Sequence, residues 1–321
     1  MKLQQLRYLV EVVRQGLNIT EAARALFTSQ PGVSHHIRLL EDELGFKVLV
    51  RRGKRVVALT RAGQDVLAIA KRMIADSENL RRLAADASRD AGGDLVVATT
   101  YTQAHAALPA VVRTFVARHP KVRLSIHPCS PTEAAERVRR GEATLCLSTE
   151  VVGSFGELVM LPGDTWTRCV ITPVRHPLLR VRRLDLAAIA KYPLVTYDFA
   201  FHKGAKIQRA FEAAGLSPRV VLTSTDPRII KTYVGAGLGI GLIASIAFDK
   251  ADGRRLRLLD ASRLFESSTT TIGIHRNSYI TGYMYDFIGL VLPRMDRAAI
   301  DAMMAGDAAG ARSGGARHAS A

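Results

Sequence analysis

Asn18-Ile-Thr-Glu-Ala-Ala-Arg-Ala-Leu26, Phe27-Thr-Ser29 and Gln30-Pro-Gly-Val-Ser-His-His-Ile-Arg-Leu-Leu40 follow one another without a break near the start of the chain. Ile19, Ala22, Ala23 and Leu26 fall on one helical face, and Val33, Ile37 and Leu40 form a facing stripe. The small Ala22 and Ala23 let two such helices approach closely. Thr28 or Ser29 can cap the second helix, and Pro31 sits in its first turn, where a missing N–H costs nothing. This spacing leaves Gln30, Ser34, His35 and Arg38 facing outward, side chains that can address base edges and phosphates. Periodicity alone leaves two readings open, a DNA-reading helix-turn-helix and an ordinary helical hairpin with a solvated polar face.

The downstream segment favours the first. Between Leu44 and Gln64 the chain carries Lys47, Arg51, Arg52, Lys54, Arg55 and Arg61 and no acidic residue. Val48-Leu-Val50 and Val56-Val-Ala-Leu59 flank Arg51-Arg-Gly-Lys-Arg55, the pattern of a β-hairpin with a basic glycine tip. A basic wing beside a reading helix suits the phosphate backbone of double-stranded DNA.

The set Leu3-Gln-Gln-Leu-Arg-Tyr8, Ala22-Ala-Arg-Ala-Leu26, Ser29-Gln-Pro-Gly-Val-Ser34, Leu39-Leu-Glu-Asp-Glu-Leu-Gly45 and Leu59-Thr-Arg-Ala-Gly63 resembles the winged helix-turn-helix of the LysR-type transcriptional regulators. Within that family, five further segments resemble the regulators of cysteine biosynthesis and sulfur assimilation. They are Thr99-Thr-Tyr-Thr-Gln-Ala104, Ser130-Pro-Thr132, Tyr192-Pro-Leu-Val-Thr-Tyr197, Ile230-Lys-Thr-Tyr-Val234 and Tyr283-Met-Tyr-Asp-Phe-Ile288. On this footing the DNA-contacting set is Thr28, Ser29, Gln30, Pro31, Ser34, His35, Arg38, Arg51, Arg52, Lys54 and Arg55.

Composition bounds the alternatives. The chain has 321 residues, a net charge of +16 and a pI near 10.3. Residues 1–90 hold 16 Lys+Arg against 10 Asp+Glu, a net of +6, so +10 lies outside the first domain. No uninterrupted apolar segment has the length to span a bilayer and no secretory signal stands at Met1 to Arg14, so a cytoplasmic location is expected, with no membrane partner. Cys129, Cys146 and Cys169 are too few and scattered for a disulfide framework or a metal site. They read as buried thiols, with a redox switch at Cys129 as the alternative.

Four segments are expected: a winged helix-turn-helix over 1–59, a linker and dimerisation helix over 60–91, an effector-binding domain over 92–303 and a disordered tail over 304–321. In the linker, Val66, Met73, Leu80 and Ala87 repeat every seven residues, interleaved with Ala70, Ser77 and Ala84, a weak coiled-coil seam. A helix packed on its own domain is the other reading, and the resemblance implies pairing. From Asp94 onward, strands (94–99, 123–127, 144–148, 169–172, 194–197, 220–223 and 240–244) alternate with helices (104–118, 131–140 and 206–214), which implies parallel sheets covered by helices. The resemblance implies two Rossmann-like α/β subdomains of the periplasmic-binding-protein type, about 92–162 with 268–303 and about 163–267. The chain would cross between them near 162–166 and 265–271.

Ligand chemistry belongs where strand ends meet helix starts. Thr100, Thr102 and Gln103 follow one strand and Ser148 and Thr149 another, a neutral donor set suited to sulfate or a small carboxylate; threonines that merely cap turns are the plainer reading. The resemblance implies an anion site at Thr100, Thr102, Gln103, Thr149 and Trp166. It departs at Asp198-Phe-Ala-Phe-His-Lys-Gly204, where His202 stands in place of a threonine. His202 can donate to an anion or be a surface residue, and Asp198 disfavours an anion nearby. Gly235-Ala-Gly-Leu-Gly-Ile-Gly241 fails the dinucleotide fingerprint and reads as close helix-to-strand packing. Thr225 and Asp226 cap a helix that carries Lys231 and Thr232 toward the cleft.

No catalytic set, metal cluster or phosphate loop emerges, so no enzymatic activity, metal or cofactor is expected. The expected function is an effector-switched transcription factor, an activator of sulfur-assimilation, cysteine-biosynthesis or sulfonate-utilisation genes. Its effector would be of the O-acetylserine, N-acetylserine, sulfate or thiosulfate type, its further partner RNA polymerase, and its assembly a homo-oligomer, a dimer of dimers. Two alternatives stand beside it: a regulator of the same family with an unrelated inducer such as an aromatic acid, and a solute-binding or enzymatic α/β protein.

Overall fold

Helix α1 (Leu3–Arg14) buries Leu6, Leu9 and Val12 against the helix pair that the opening stretch encodes. This computed structural model describes residues 1–53, 55–87, 92–149, 156–202 and 204–314, with side chains through Gly306. The chain divides into two units, residues 1–87 with 277–279 and residues 88–276 with 280–321.

In the first unit Asn18 caps α2 (Ile19–Ala25) by accepting from the Thr20 and Glu21 amides. Ser29 caps α3 (Gln30–Leu44) by accepting from the Gly32 amide at 3.2 Å. Pro31 occupies the first turn of α3, and Gly45 closes the helix in the left-handed conformation at φ 75°. Val33, Ile37 and Leu40 are fully buried against Ala22 and Ala23, as the two-stripe pattern requires.

The wing is an antiparallel hairpin of β1 (Leu49–Arg52) and β2 (Arg55–Leu59). Lys54 lies outside the described residues. Glu41, 2 % exposed, accepts from the Val48 and Leu49 amides at 3.0 and 3.1 Å and from Lys47 Nζ at 3.1 Å, so α3 itself holds the entry to the wing. Helix α4 (Arg61–Ala87) follows, with Thr60 Oγ1 accepting from the Gly63 amide at 2.8 Å. A Cβ on Gly63 would lie 2.1 Å from the Val48 carbonyl oxygen, a contact that backbone must move to relieve. Gly63→Ala is expected to cost about 3 kcal/mol, the upper part of the overpacking range; a urea midpoint equal to that of the parent chain refutes this.

The expected seven-residue seam on α4 faces outward at Met73, Leu80 and Ala87 and departs at its start. Val66, Ala70 and Ile74 pack against the unit's own core, whereas Ile69, Met73, Leu80 and Leu83 are 39 to 67 % exposed. The i, i+4 neighbours of the expected seam thus belong to the domain, and the outward stripe begins at Ile69 rather than Val66.

The second unit contains two mixed sheets. Strand β3 (Gly93–Thr99) leads through α5 (Tyr101–Ala106) and α6 (Leu108–Arg118) to β4 (Val122–Pro128), and α7 (Pro131–Arg139) leads to β5 (Leu145–Ser148). Strand β6 (Leu158–Trp166) closes this part, and β7 (Arg168–Pro173) opens the second sheet. There α8 (Leu186–Ala190), β8 (Leu194–Thr196), α9 (Lys206–Ala213), β9 (Val220–Thr223), α10 (Pro227–Gly235), β10 (Ile240–Ala244) and β11 (Leu256–Asp260) follow. The chain then returns by β12 (Ser268–His275) and ends with α11 (Gly282–Val291) and α12 (Arg297–Gly314).

The sheet orders are β4-β3-β5-β12-β6 and β11-β7-β10-β8-β9. Strands β4, β3 and β5, and likewise β10, β8 and β9, are parallel; β6, β7, β11 and β12 add antiparallel neighbours. The expected parallel strands form the body of each sheet, and β12 in the first and β7 in the second enter from the opposite end, which makes both sheets mixed. The first crossing falls at Thr167, since β6 runs unbroken through Pro162 and Gly163 to Trp166.

The expected helix over 104–118 is two helices, with Pro109 in the first turn of α6. The expected unstructured tail is also corrected at its start. Met303 and Met304 pack against the first subdomain's core, and the alanine-rich run continues α12 to Gly314, as the high helix propensity of alanine favours.

Candidate functional site

Two surfaces gather the residues singled out by the sequence, one in each unit. In the first, Ser29, Gln30, Pro31, His35 and Arg38 are exposed along α3, Thr28 is half-buried, and Phe27 in the turn takes φ 49° with its ring 99 % exposed. Ser34 departs from the expected outward position: it is 8 % exposed, and its hydroxyl accepts from Gln30 Nε2 at 3.2 Å. Its place one turn beyond Gln30 makes it a support for that side chain. Arg51, Arg52 and Arg55 are exposed on the hairpin, with Arg52 and Arg55 directly paired across it. This face joins the exposed polar side chains of α3 to a cationic hairpin, a combination suited to binding a polyanion.

The second surface is a cleft where the ends of β3, β5 and β8 converge with the β6–β7 crossing. Thr100 caps α5, with its hydroxyl accepting from the Gln103 amide at 3.4 Å. Gln103 Nε2 donates to Thr270 Oγ1 at 3.2 Å. The Thr102 and Tyr197 hydroxyls stand 3.0 Å apart, a hydrogen bond that links the first helix of one subdomain to the end of β8 in the other. Tyr197 Oη also accepts from the Ala244 amide at 3.4 Å. Burial pushes the Tyr197 phenol up to about 12, against the pull of Thr102, the Ala244 amide and Arg168, so it stays protonated at neutral pH.

Two buried donors in the cleft have no hydrogen-bond partner among the described residues: the Ser148 hydroxyl, on a residue with no exposed surface, and the Trp166 indole N–H. They flank the same strand, since β12 pairs Ser268 with Trp166 on one side and Thr271 with Ser148 on the other. Unpaired buried donors cost about 1–3 kcal/mol each, and a cleft that keeps them suits an acceptor-rich ligand. Thr149 is half-buried beside Ser148.

Sequence reasoning missed two contributors. Arg168, 2 % exposed, lays its guanidinium over the Trp166 ring at 5.2 Å and places a buried positive charge at the cleft. Tyr197 supplies the hydroxyl opposite Thr102. The signal for Arg168 was a lone arginine two residues from Trp166 at the head of an apolar strand, Arg168-Cys-Val-Ile171.

The remaining expectations separate from this cluster. His202 is exposed after a short 3-10 turn (Asp198–Phe201), and Asp198 Oδ1 accepts from the Phe199 amide at 2.7 Å. Lys231 does not reach the cleft: its Nζ donates to the Ala247 carbonyl at 3.0 Å and to Asp252 at 2.7 Å. Thr232 donates to the Arg228 carbonyl within its own helix. In the glycine run, a Cβ on Gly239 would lie 2.2 Å from the Pro193 carbonyl oxygen, so this position serves close packing.

Burial, with Glu133 adding to it, pushes the Cys129 thiol up to about 11; burial likewise pushes Cys146 and Cys169 up to about 12. All three are free and buried, and their thiolate fraction at neutral pH is negligible. The folded chain is expected to resist iodoacetamide at pH 7.5 over an hour and to take up three equivalents once unfolded. Rapid native labelling of Cys129 would restore the redox alternative.

Two family profiles cover most of the chain: residues 3–64 match the bacterial regulatory helix-turn-helix protein of the lysR family, and residues 88–296 match the LysR substrate binding domain. The chain is 43 % identical over 301 residues to the HTH-type transcriptional regulator CysB of Haemophilus influenzae, covering 94 % of this chain and 93 % of that one. It is 43 % identical over 304 residues to the HTH-type transcriptional regulator SsuR of Burkholderia cenocepacia, covering 95 and 99 %. Among solved structures, the cofactor-binding domain of the Cbl transcriptional regulator superposes with a TM-score of 0.63 at 34 % identity, covering 67 % of this chain and 94 % of that domain.

Proposed function

The chain belongs to the LysR-type transcriptional regulators, and from that premise we propose that it activates genes of sulfur assimilation, cysteine biosynthesis or sulfonate utilisation in response to a small anionic or amino-acid-derived effector. What supports the effector half is the pair of buried donors without a partner among the described residues, the Ser148 hydroxyl and the Trp166 indole N–H, the latter's ring lying under the buried Arg168 guanidinium, together with the Thr102 hydroxyl at the contact between the two subdomains. Such a set suits sulfate, thiosulfate or the carboxylate of O-acetylserine or N-acetylserine. Thr100, Gln103 and Thr149 complete the proposed lining, and exposed His202 is left outside it.

The DNA half assigns base reading to Gln30, His35 and Arg38, helix-start contacts to Thr28, Ser29 and Pro31, positioning to Ser34, and phosphate contacts to Arg51, Arg52, Lys54 and Arg55. The exposed stripe Ile69, Met73, Leu80 and Leu83 supports pairing of two copies through α4, which places two reading helices on two half-sites. A dimer of dimers and recruitment of RNA polymerase complete the proposal. The domain limits proposed are 1–59, 60–91 and 92–303.

Footprinting on a panel of sulfur-gene promoters, with and without each candidate effector, tests the reading. Effector-dependent protection supports it, and a uniform absence of protection refutes it. Replacing Arg51 and Arg52 by alanine is expected to weaken binding to all DNA sequences and to lower the salt slope by about 2 per subunit, at about 0.9 per phosphate contact. An unchanged slope removes the wing from the interface.

A second reading of the effector rests on the stacked Tyr197 and Phe199 rings, 5.0 Å apart beside the cleft. An aromatic acid could use that wall, and thermal stabilisation by benzoate but not by sulfate or N-acetylserine would favour it.

A further inference from the structure

In the second sheet the cleft occupies one end of the strands. Ala244 of β10 pairs with Arg168 of β7 there, whereas Pro173 at the far end of β7 pairs with Leu256 at the start of β11. Everything that leaves β7 or enters β11 therefore gathers at the end away from the cleft. The segment leaving β7 carries Arg175, Arg180, Arg182 and Arg183, and the turn entering β11 carries Arg254 and Arg255; all six are exposed. Exposed Lys191 and Arg219 stand at the same end, just before β8 and β9.

The carboxylates at this end are engaged elsewhere. Asp185 accepts from the Ala188 amide at 2.7 Å as the cap of α8, Asp249 and Asp252 hold Lys231, and Glu212 accepts from Gln208. Among the described residues no ion pair reaches any of the six arginines. This edge accounts for much of the +10 charge that lies outside the first ninety residues.

We propose that this edge of the second sheet holds the phosphate backbone of double-stranded DNA outside the bases read by α3, a role that rests on the regulator reading above. The chemistry favours phosphate over an acidic protein surface. A protein interface has an apolar core depleted of charge, and at this edge Val174, Val181, Val221 and Leu238, 39 to 41 % exposed, are outnumbered by the eight exposed cationic side chains. A phosphate backbone needs only charge, and guanidinium forks match phosphate oxygens two at a time. Like charges left unneutralised repel one another, and a polyanion relieves that repulsion. The effector cleft and this edge thus lie at opposite ends of the same strands.

The test uses the full chain and two labelled duplexes of 20 and 80 base pairs, both carrying one site that the wild-type chain selects from a random pool. In R175A/R182A/R183A/R255A, affinity for the 80-base-pair duplex is expected to fall at least tenfold at 100 mM salt. The slope of log K against log salt should decrease by about 3 to 4 for each engaged subunit. Affinity for the 20-base-pair duplex stays at the wild-type value, and so does the melting temperature, since all four side chains are exposed. The matching four-lysine variant should retain most of the lost affinity. Wild-type affinity and slope on the 80-base-pair duplex overturn the proposal. If that DNA binding persists while transcription in vitro falls, the edge belongs to an acidic protein partner and the DNA assignment is wrong. A wild-type chain that selects no duplex at all sinks the regulator reading itself, a failure distinct because the 20-base-pair arm is then empty for every variant.

Discussion

Glu41→Ala is expected to destabilise the first unit by about 3 kcal/mol and to abolish DNA binding. The carboxylate is 2 % exposed and is the acceptor that satisfies the Val48 and Leu49 amides. Alanine leaves two buried N–H groups without a partner, at about 1–3 kcal/mol each. The contact with Lys47 adds little, because that side chain is 64 % exposed and its attraction is screened. Against a typical total stability of about 5–15 kcal/mol, such a loss leaves the unit marginal. Glu41→Gln keeps one acceptor oxygen and should fall between the two. The measurement is the urea midpoint of the unfolding transition, followed by anisotropy on promoter DNA. A loss under about 1 kcal/mol would show that the wing is held by its hairpin pairing alone.

Thr102→Val combined with Ser148→Ala is expected to remove the effector response while leaving the fold in place. At an effector concentration 100 times its Kd the wild-type chain gains about 2.7 kcal/mol of stability. Each lost hydrogen bond to a charged ligand removes about 1.5–3 kcal/mol. The pair together then weakens binding at least about 100-fold, and the gain shrinks to ~0.4 kcal/mol. Thermal melts with sulfate, thiosulfate and N-acetylserine read this directly. Without effector the variant should melt slightly lower, since Tyr197 loses its Thr102 partner. A full effector shift in the double variant would move the site elsewhere in the second unit.

The helix pair was legible because its chemistry is local: two apolar stripes, a capping serine and a proline in the first turn all lie within 23 residues of Asn18. The parallel strands were legible for a similar reason, as short apolar runs between helical segments. Strands β6, β11 and β12 were not. Pro162 and Gly163 interrupt the apolar run of β6 and shift its register against β12 without ending the strand, and β12 reads as Ser-Thr-Thr-Thr before any apolar residue. The α4 stripe was legible from Met73 onward and misread only at Val66 and Ala70, because a seven-residue repeat cannot tell which of two adjacent faces its own domain claims.

In the cleft, Thr100, Thr102, Gln103 and Ser148 follow strand ends and so announce themselves. Arg168 does not, being one of 45 cationic residues until the fold buries it. Tyr197 lies 95 residues from Thr102 in sequence, and no local pattern joins them. Ser34 was placed on the outward face by helical spacing, and only the packing of α3 turns it inward.

The hydroxyl pair between Thr102 and Tyr197 gives the cleft an internal competitor. An effector that takes the single Thr102 proton, as proposed, obliges the pair to run from the Tyr197 hydroxyl to the Thr102 oxygen, so it competes with the opposite direction of that bond. The preference for that opposite direction then acts as a threshold: each 1.4 kcal/mol in it raises the half-saturating concentration about tenfold. Tyr197 sits outside the donor set that would grip the ligand. The tuning of when the protein answers is therefore separable from the choice of what it answers to.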